Sequence, residues 1–162
     1  MLVLGIDPGT ATTGYGLVRE ADGGPAAVAY GVIETPAGGP MPVRLQTIYR
    51  ELKKIIALHN PDTAAVERLF FQKNVTTAMT VGQARGVALL ALAEAGVSVG
   101  EYSPRDVKQA VAGYGGAGKA QVQQMVRAIL NLRDIPKPDD AADALAVAIC
   151  HLHSVKMKAL TG

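Results

Sequence analysis

The sequence begins with LVLGIDPGT at residues 2–10, an apolar run that ends in an acidic residue and a turn. Residues 2–6 are apolar or glycine, which is typical of a short buried β-strand. Pro8 and Gly9 favour a turn, so the strand should deliver Asp7 at its end. A carboxylate in that position is costly unless it is solvated, paired or bound to a cation. Asp7 is therefore the first candidate functional residue.

Apolar periodicity predicts the other elements of a single α/β domain spanning residues 1–162, with the last few residues as a flexible tail. In chain order the predicted elements are strands 2–6, 13–19 and 28–35, helix 42–59, strand 63–69, a helix from about 75 to 95, strand 97–102, a helix from 103 to about 112, a helix containing 122–130 and a helix over 139–153. Hairpin-linked strands followed by strand–helix–strand crossovers imply a five-stranded mixed sheet with helices on both faces.

Composition is that of a folded protein, with 49% hydrophobic and 19% charged residues. The N-terminus lacks the pattern of a signal peptide. The most apolar run, 86–93, is far shorter than the roughly 20 residues of a membrane-spanning helix. The one cysteine, Cys150, has no disulfide partner and lies in an apolar helical pattern that predicts a buried thiol. We therefore expect a soluble, cytoplasmic protein with no membrane association.

Basic residues are concentrated in two stretches, although the net charge of the chain is only +2. Residues 68–93 contain three basic residues and no acidic one, and residues 103–133 contain five basic residues and one acid. These stretches could guide a polyanion towards a metal site. They could equally be solvated helical surfaces, and charge alone leaves both interpretations open.

Three further acids interrupt apolar patterns. Glu67 follows residues 64–66 in a strand that should lie beside the first strand, and so near Asp7. Asp140 and Asp143 are three positions apart on a helix and share a face. Acids are common in a first helical turn for capping alone, and Asp139 is the predicted cap. Asp143 is too deep to cap and precedes an apolar run, which favours a functional role.

Four converging carboxylates would repel one another and raise at least one pKa in the absence of cations. Magnesium prefers oxygen ligands and retains water molecules for chemistry. Two such ions about 4 Å apart can activate an attacking water and stabilise the leaving oxygen of a phosphodiester. The spacing therefore predicts an acidic metal site that cuts nucleic-acid backbones.

Longer sequence motifs point to a particular protein family. The string GIDPGTATTGYG at residues 5–16, Glu67 followed by Phe70, and DAADAL at 140–145 closely resemble the RuvC family of Holliday-junction resolvases. The match continues through PRDVKQ at 104–109 and GYGGAGKAQVQ at 113–123. The resemblance implies an RNase H-like fold and four catalytic, metal-binding acids, which are Asp7, Glu67, Asp140 and Asp143. It also implies two Mg²⁺ ions per subunit, for which Mn²⁺ can substitute. Some relatives have His at the position of Asp140, and Ala120 stands where many have a hydroxyl residue.

The resemblance also implies a set of DNA-binding residues, which are Phe70, Lys73, Asn74, Lys108 and Lys119. Both Lys108 and Lys119 would contact DNA near the scissile phosphate, and Lys119 would also act in catalysis by stabilising transition-state charge. The aromatic ring of Phe70 would stack on a base at the opened junction centre, whereas the side chain of Phe71 is expected to pack inside the protein.

The segment 113–120 nearly matches a phosphate-loop motif, which we reject. A helix rather than a buried strand precedes it, and Ala120 lacks the hydroxyl that would bind magnesium. Three histidines, His59, His151 and His153, form no metal-binding pattern and are predicted to lie at the surface or at helix ends.

The partners implied by the resemblance are four-way junction DNA, a second copy of the chain and the branch-migration complex RuvA-RuvB. The helix over 75–95 would form a two-fold dimer, so that two sites act on symmetric strands. Cleavage by water would leave 5′-phosphate and 3′-hydroxyl ends.

Three alternatives are open from the sequence. An RNase H-like nuclease acting on ribosomal RNA would share the Gly-Ile-Asp-Pro-Gly opening. Actin-like ATPases and sugar kinases share the Asp-x-Gly-Thr turn but need a second similar domain. A protein that binds junctions without cutting them is the third alternative, and only the four acids argue against it.

Overall fold

The computed structural model describes residues 1–68 and 74–162, and within these it has five strands and five helices. In chain order they are β1 (Leu2–Asp7), β2 (Thr12–Ala21), β3 (Gly24–Glu34), α1 (Met41–His59), β4 (Thr63–Glu67), α2 (Val75–Glu94), β5 (Ser98–Tyr102), α3 (Pro104–Ala112), α4 (Lys119–Ile129) and α5 (Asp139–Thr161). The predicted order of elements is confirmed, with boundaries shifted by a few residues in several places.

The five strands form one mixed sheet in the order β3-β2-β1-β4-β5. The first three strands are antiparallel neighbours, and β4 runs parallel to both β1 and β5. The parallel register pairs Ile6 with Val66, so the next residues, Asp7 and Glu67, emerge at the same edge of the sheet. The prediction that the first and fourth strands are neighbours is confirmed.

Helices cover both faces of the sheet. Alternate residues of each strand point to opposite sides, so the strands place apolar side chains on both faces and the helices bury them. Leu4 and Ile6 of β1 pack in a core with residues of α1 and α2. Val3 points the other way, into a core shared with α3, α4 and α5. The site described below lies on the second side, where α5 crosses β1 and β2.

Glycines in β1 and β2 allow α5 to lie unusually close to the sheet. A side chain at Gly5 would collide with the backbone carbonyl of Ala144, and one at Gly14 with the carbonyl of Asp140. Gly16 in turn lies against Leu145. The close approach places the first turn of α5 over the end of β1.

The C-terminal end of the chain differs from the prediction, because α5 continues to Thr161 instead of ending at His153. The predicted end of the last helix at His153 is therefore wrong. Residues 154–161 contain no glycine or proline to stop the helix, and the extra turns are tethered by an ion pair of 2.7 Å between Lys156 and Glu20.

His151 is buried, so its predicted position at the surface or a helix end is wrong. Its Nε2 lies 2.9 Å from Thr63 Oγ1, and its Nδ1 lies 2.7 Å from the Tyr102 hydroxyl. These hydrogen bonds satisfy a polar ring inside the core. Cys150 is buried, as predicted.

Within the described residues, α2 is the one helix that is long and apolar enough to cross a membrane by length and composition. That is weak evidence, because core helices of soluble proteins pass the same test. One side of α2 packs into the core through Ala84, Ala88 and Leu92. The other side exposes Met79 and Leu90.

Candidate active site

Three carboxylates converge at the end of β1. Asp7 comes from the strand, and Asp140 and Asp143 come from the first turns of α5. Each contributes one carboxylate oxygen, and the three oxygens all lie within 4.8 Å of one another. The geometry is that of a ligand set for a hard cation, which prefers oxygen donors.

Glu67 lines the same pocket as Asp7 and Asp143 but is not part of that three-residue group. The pocket has a volume of about 320 Å³. The structure therefore brings all four predicted acids to one place, with three in a tight cluster and Glu67 on the neighbouring strand.

Burial and mutual repulsion disfavour the ionised carboxylates. Burial, followed by the charge of Asp143 and by hydrogen bonding and charge from Asp140, raises the pKa of Asp7 from 3.8 to about 8. Burial is also the main reason that the pKa values of Glu67 and Asp143 are raised. The cluster must hold either a proton or a cation near neutral pH, and the oxygen donors fit a divalent cation.

Apolar residues form much of the wall of this pocket, and they explain why its carboxylates are poorly solvated. Val107 of α3, Val122 of α4 and two residues of α5, Ala146 and Val147, line the pocket beside the acids. Sequence reasoning did not identify these four residues as part of the site. They occupy apolar helical positions that look the same as ordinary core, so no local signal distinguishes them.

Asp139 is not the cap of α5, so its predicted role is wrong. Pro138 occupies the cap position with no side-chain hydrogen bond, and Asp139 is the first helical residue. The Asp139 carboxylate instead accepts a hydrogen bond of 3.0 Å from Gln123 Nε2 and lies 3.4 Å from Lys119 Nζ. Its role is to hold α4 against the start of α5.

Lys119 is the first residue of α4, and its side-chain ammonium lies beside the acidic cluster. Its Nζ lies 3.8 Å from an oxygen of Asp143 as well as 3.4 Å from Asp139. The nearby charge of Asp143 is the main reason that the pKa of Lys119 is raised. The ammonium is therefore charged and lies beside the acidic cluster.

Lys108 also lines the pocket and projects from α3. That helix begins at a capping box, in which Ser103 Oγ accepts from the Asp106 N–H and the Asp106 carboxylate accepts from the Ser103 N–H, both at 3.0 Å. The predicted cap at Ser103 and first position at Pro104 are confirmed. Lys108 makes no ion pair with any residue in 1–68 or 74–162.

The other residues of the expected DNA-binding set are only partly described. Phe70 and Lys73, together with Phe71, lie outside the described residues. Asn74 is the cap of α2, and its side-chain oxygen accepts a hydrogen bond of 3.2 Å from the N–H of Thr77. Its side chain is exposed at the start of that helix.

Comparison with known proteins identifies the family. The model of the family described as crossover junction endodeoxyribonuclease RuvC matches residues 3–151. The chain belongs to the RuvC family. The RuvC protein of Heliobacterium modesticaldum is 62% identical over 155 residues, which cover 96% of each chain. That of Desulfitobacterium hafniense is 59% identical, covering 97% of this chain and 95% of the relative.

A solved RuvC structure has the same fold. Thermus thermophilus RuvC in complex with a Holliday junction substrate superposes with a TM-score of 0.92 at 38% identity, covering 98% of this chain and 96% of that one. The sheet and helices described above are therefore those of the RNase H-like fold, as predicted. Membership of the RuvC family identifies the chain as a crossover junction endodeoxyribonuclease, which is a metal-dependent nuclease.

Proposed function

We propose that the chain is a magnesium-dependent resolvase that nicks two opposed strands of a Holliday junction at the site formed by Asp7, Glu67, Asp140 and Asp143. The observation that carries the proposal is the convergence of three carboxylates, within 4.8 Å of one another, in a pocket that Lys108 and Lys119 border. A pocket that combines carboxylates able to hold a metal with two cations able to bind phosphate is suited to a phosphodiester substrate.

Asp7, Asp140 and Asp143 would hold the metal, and Glu67 would complete the site from the neighbouring strand. Carboxylate oxygens suit both Mg²⁺ and Mn²⁺, and two ions per subunit are proposed. When bound, such ions activate an attacking water and stabilise the leaving oxygen of the phosphodiester. Attack by water with departure of the 3′ oxygen accounts for the proposed 5′-phosphate and 3′-hydroxyl ends.

The two lysines have different proposed roles because their surroundings differ. Asp139 and Asp143 hold Lys119 at the mouth of the pocket, so its ammonium is already in place to stabilise charge that develops on the phosphate. Lys108 is proposed to bind the DNA backbone. Phe70, Lys73 and Asn74 are proposed DNA contacts on the strength of the family resemblance and of a relative described as a complex with a Holliday junction substrate.

A two-fold dimer through α2 is also proposed. Val75, Met79 and Leu90 are exposed apolar residues along one side of this helix, and a side chain added at Gly86 would meet open space. Pairing of two such surfaces would bury apolar area and orient two active sites towards symmetric strands. We further propose that residues 1–162 act as one domain, in the cytoplasm, with the branch-migration complex RuvA-RuvB as partner.

The test is cleavage of a synthetic four-way DNA junction in the presence of Mg²⁺. Wild-type protein should release nicked duplexes whose new ends can be ligated, and Asp7→Asn should bind the junction without cutting it. Asp22→Asn, a matched change in an exposed turn, should cut normally. Normal cutting by Asp7→Asn contradicts the assignment, and cleavage of structured ribosomal RNA in place of the junction favours the RNA nuclease.

A further inference from the structure

A second, basic groove adjoins the acidic pocket. It has a volume of about 450 Å³ and is lined by Ser103, Pro104, Arg105, Lys108 and Gly115. Pro104 and Lys108 also line the acidic pocket, so the two concavities are neighbours that share these residues. Of the described residues that line the groove, two are cationic and none is acidic.

Arg105 lines this groove, and its side chain lies against the loop that contains Gly115. Its side chain packs on Gly115, where an added Cβ would be 2.5 Å from Arg105 Cγ and 2.9 Å from Arg105 Nε. Only a glycine leaves room for the arginine at that distance. Within residues 1–68 and 74–162 the guanidinium makes no ion pair, and the residue is exposed.

The loop that carries Gly115 is held in place by hydrogen bonds at both ends. Gly113 ends α3 with a φ of 89°, a left-handed conformation that glycine adopts without strain, and its N–H donates to the Gln109 carbonyl at 3.0 Å. The Tyr114 hydroxyl donates to Gln121 Oε1 of α4 at 2.6 Å. The surface under Arg105 is thus organised before any ligand arrives, which lowers the entropy cost of binding.

We propose that Arg105 and Lys108 form a second phosphate subsite, which binds a backbone phosphate of the cleaved DNA strand beside the scissile one. The inference rests on the proposed function, since it assumes that the scissile phosphate lies at the acids. A guanidinium binds phosphate oxygens through two parallel hydrogen bonds, and it keeps its charge at any physiological pH. Contacts of this kind position the strand without reading its sequence.

The direct test measures DNA affinity as a function of salt. Junction DNA is titrated with protein in the presence of Mg²⁺ at a series of salt concentrations. The two proteins compared are Asp7→Asn, which should leave the DNA intact, and the double variant Asp7→Asn with Arg105→Gln. Arg105→Gln should raise the Kd roughly tenfold and lower the slope of log Kd against log salt by about one, because one phosphate contact is lost. Arg50→Gln, which removes the same charge from α1 on the other face of the sheet, should change neither quantity.

A second variant separates the position of the arginine from its charge. Gly115→Ala keeps every charge but displaces the Arg105 side chain from the loop, so it should reproduce the loss of junction affinity. Arg105→Gln combined with Gly115→Ala should bind the junction no more weakly than Arg105→Gln alone. In the cutting-competent protein, Arg105→Gln should raise KM more than it lowers kcat.

Unchanged affinity and salt slope in Arg105→Gln overturn the subsite, as does an equal loss in Arg50→Gln. These binding outcomes do not depend on cleavage. A wild-type protein that binds junctions through Arg105 but never cuts them would refute the proposed function and leave only phosphate binding by Arg105 standing.

Discussion

Replacing Asp7 with Asn should stabilise the metal-free protein at alkaline pH, even though it removes a proposed metal ligand. Burial and the neighbouring acids raise the pKa of Asp7 from 3.8 to about 8, so the ionised carboxylate is unfavourable in the folded state. Asparagine has nearly the same shape and carries no charge. The substitution therefore removes the repulsion without opening a cavity.

The magnitude follows from linkage between folding and protonation. Between pH 3.8 and about 8, the folded state holds a proton on Asp7 that the unfolded chain has lost. The folded state binds more protons, so its free energy of unfolding falls as the pH rises through this window. At about 1.4 kcal/mol for each pKa unit, the loss attributable to Asp7 between about pH 5 and about pH 8 is on the order of 4 kcal/mol. Relaxation around the charge makes that an upper bound.

The assay is urea unfolding in the presence of a chelator, over a series of pH values, for wild type and Asp7→Asn. The stability advantage of the variant should grow steadily from acidic to alkaline pH. Asp22→Asn serves as the control, because its exposed turn should give a curve parallel to that of wild type. Adding Mg²⁺ at about 100 times its Kd should stabilise wild type by about 2.7 kcal/mol and the variant by less.

Parallel curves for wild type and Asp7→Asn across this pH range would refute the reasoning, because they would show that Asp7 ionises as easily in the folded protein as in the unfolded chain. A wild type more stable than the variant at about pH 8 in chelator would refute it as well. The carboxylates of the cluster would then be ionised together without a bound cation.

Three further perturbations test how the fold supports the site. Gly14→Ala should lower the rate of junction cutting about 100-fold, because the new Cβ collides with a carbonyl in the first turn of α5 and displaces two acids, whereas Gly23→Ala, which meets open space, should cut normally. His151→Phe should lower the free energy of unfolding in urea by about 1–3 kcal/mol, since buried Thr63 and half-buried Tyr102 each lose a hydrogen bond to the imidazole ring. Burial lowers the pKa of His151, so wild type should also lose stability as the pH falls below 6.5, a loss that the variant lacks. Met79→Asp should convert the proposed dimer to a monomer in sedimentation velocity, whereas Leu58→Asp, at an exposed apolar position on α1, should not.

Much of the fold was predictable because it rests on interactions between residues close in the chain. The apolar run before Asp7 ends where Pro8 and Gly9 force a turn, so the acid's place at the end of β1 follows from local preference. Ser103 and Asp106 similarly define the start of α3 through hydrogen bonds three residues apart. The parallel pairing of β1 with β4 follows from the order of elements, because two hairpins return β3 to the direction of β1 and helix α1 then connects β3 to β4.

The candidate site was predictable only in part. Asp7, Glu67, Asp140 and Asp143 are conspicuous as charges inside apolar patterns, and the family motifs order them. The structure shows their convergence, but it assigns Asp139 to an ion pair with Lys119 where a cap was expected. A carboxylate at the start of a helix can cap it or reach a neighbouring helix, and the local pattern is the same in both cases.

The sequence by itself was sufficient to identify the acids and the order of the strands, since these depend on side-chain chemistry and on short-range geometry. Only the tertiary structure decided how poorly solvated the acids are. The desolvation that raises the pKa of Asp7 comes partly from Val107, Val122 and Val147, which lie 100 or more positions away in the chain. They line the same pocket as Asp7 because α3 and α4 pack against α5, which in turn lies closely on glycines of β1 and β2, and that arrangement depends on long-range packing that no local pattern encodes.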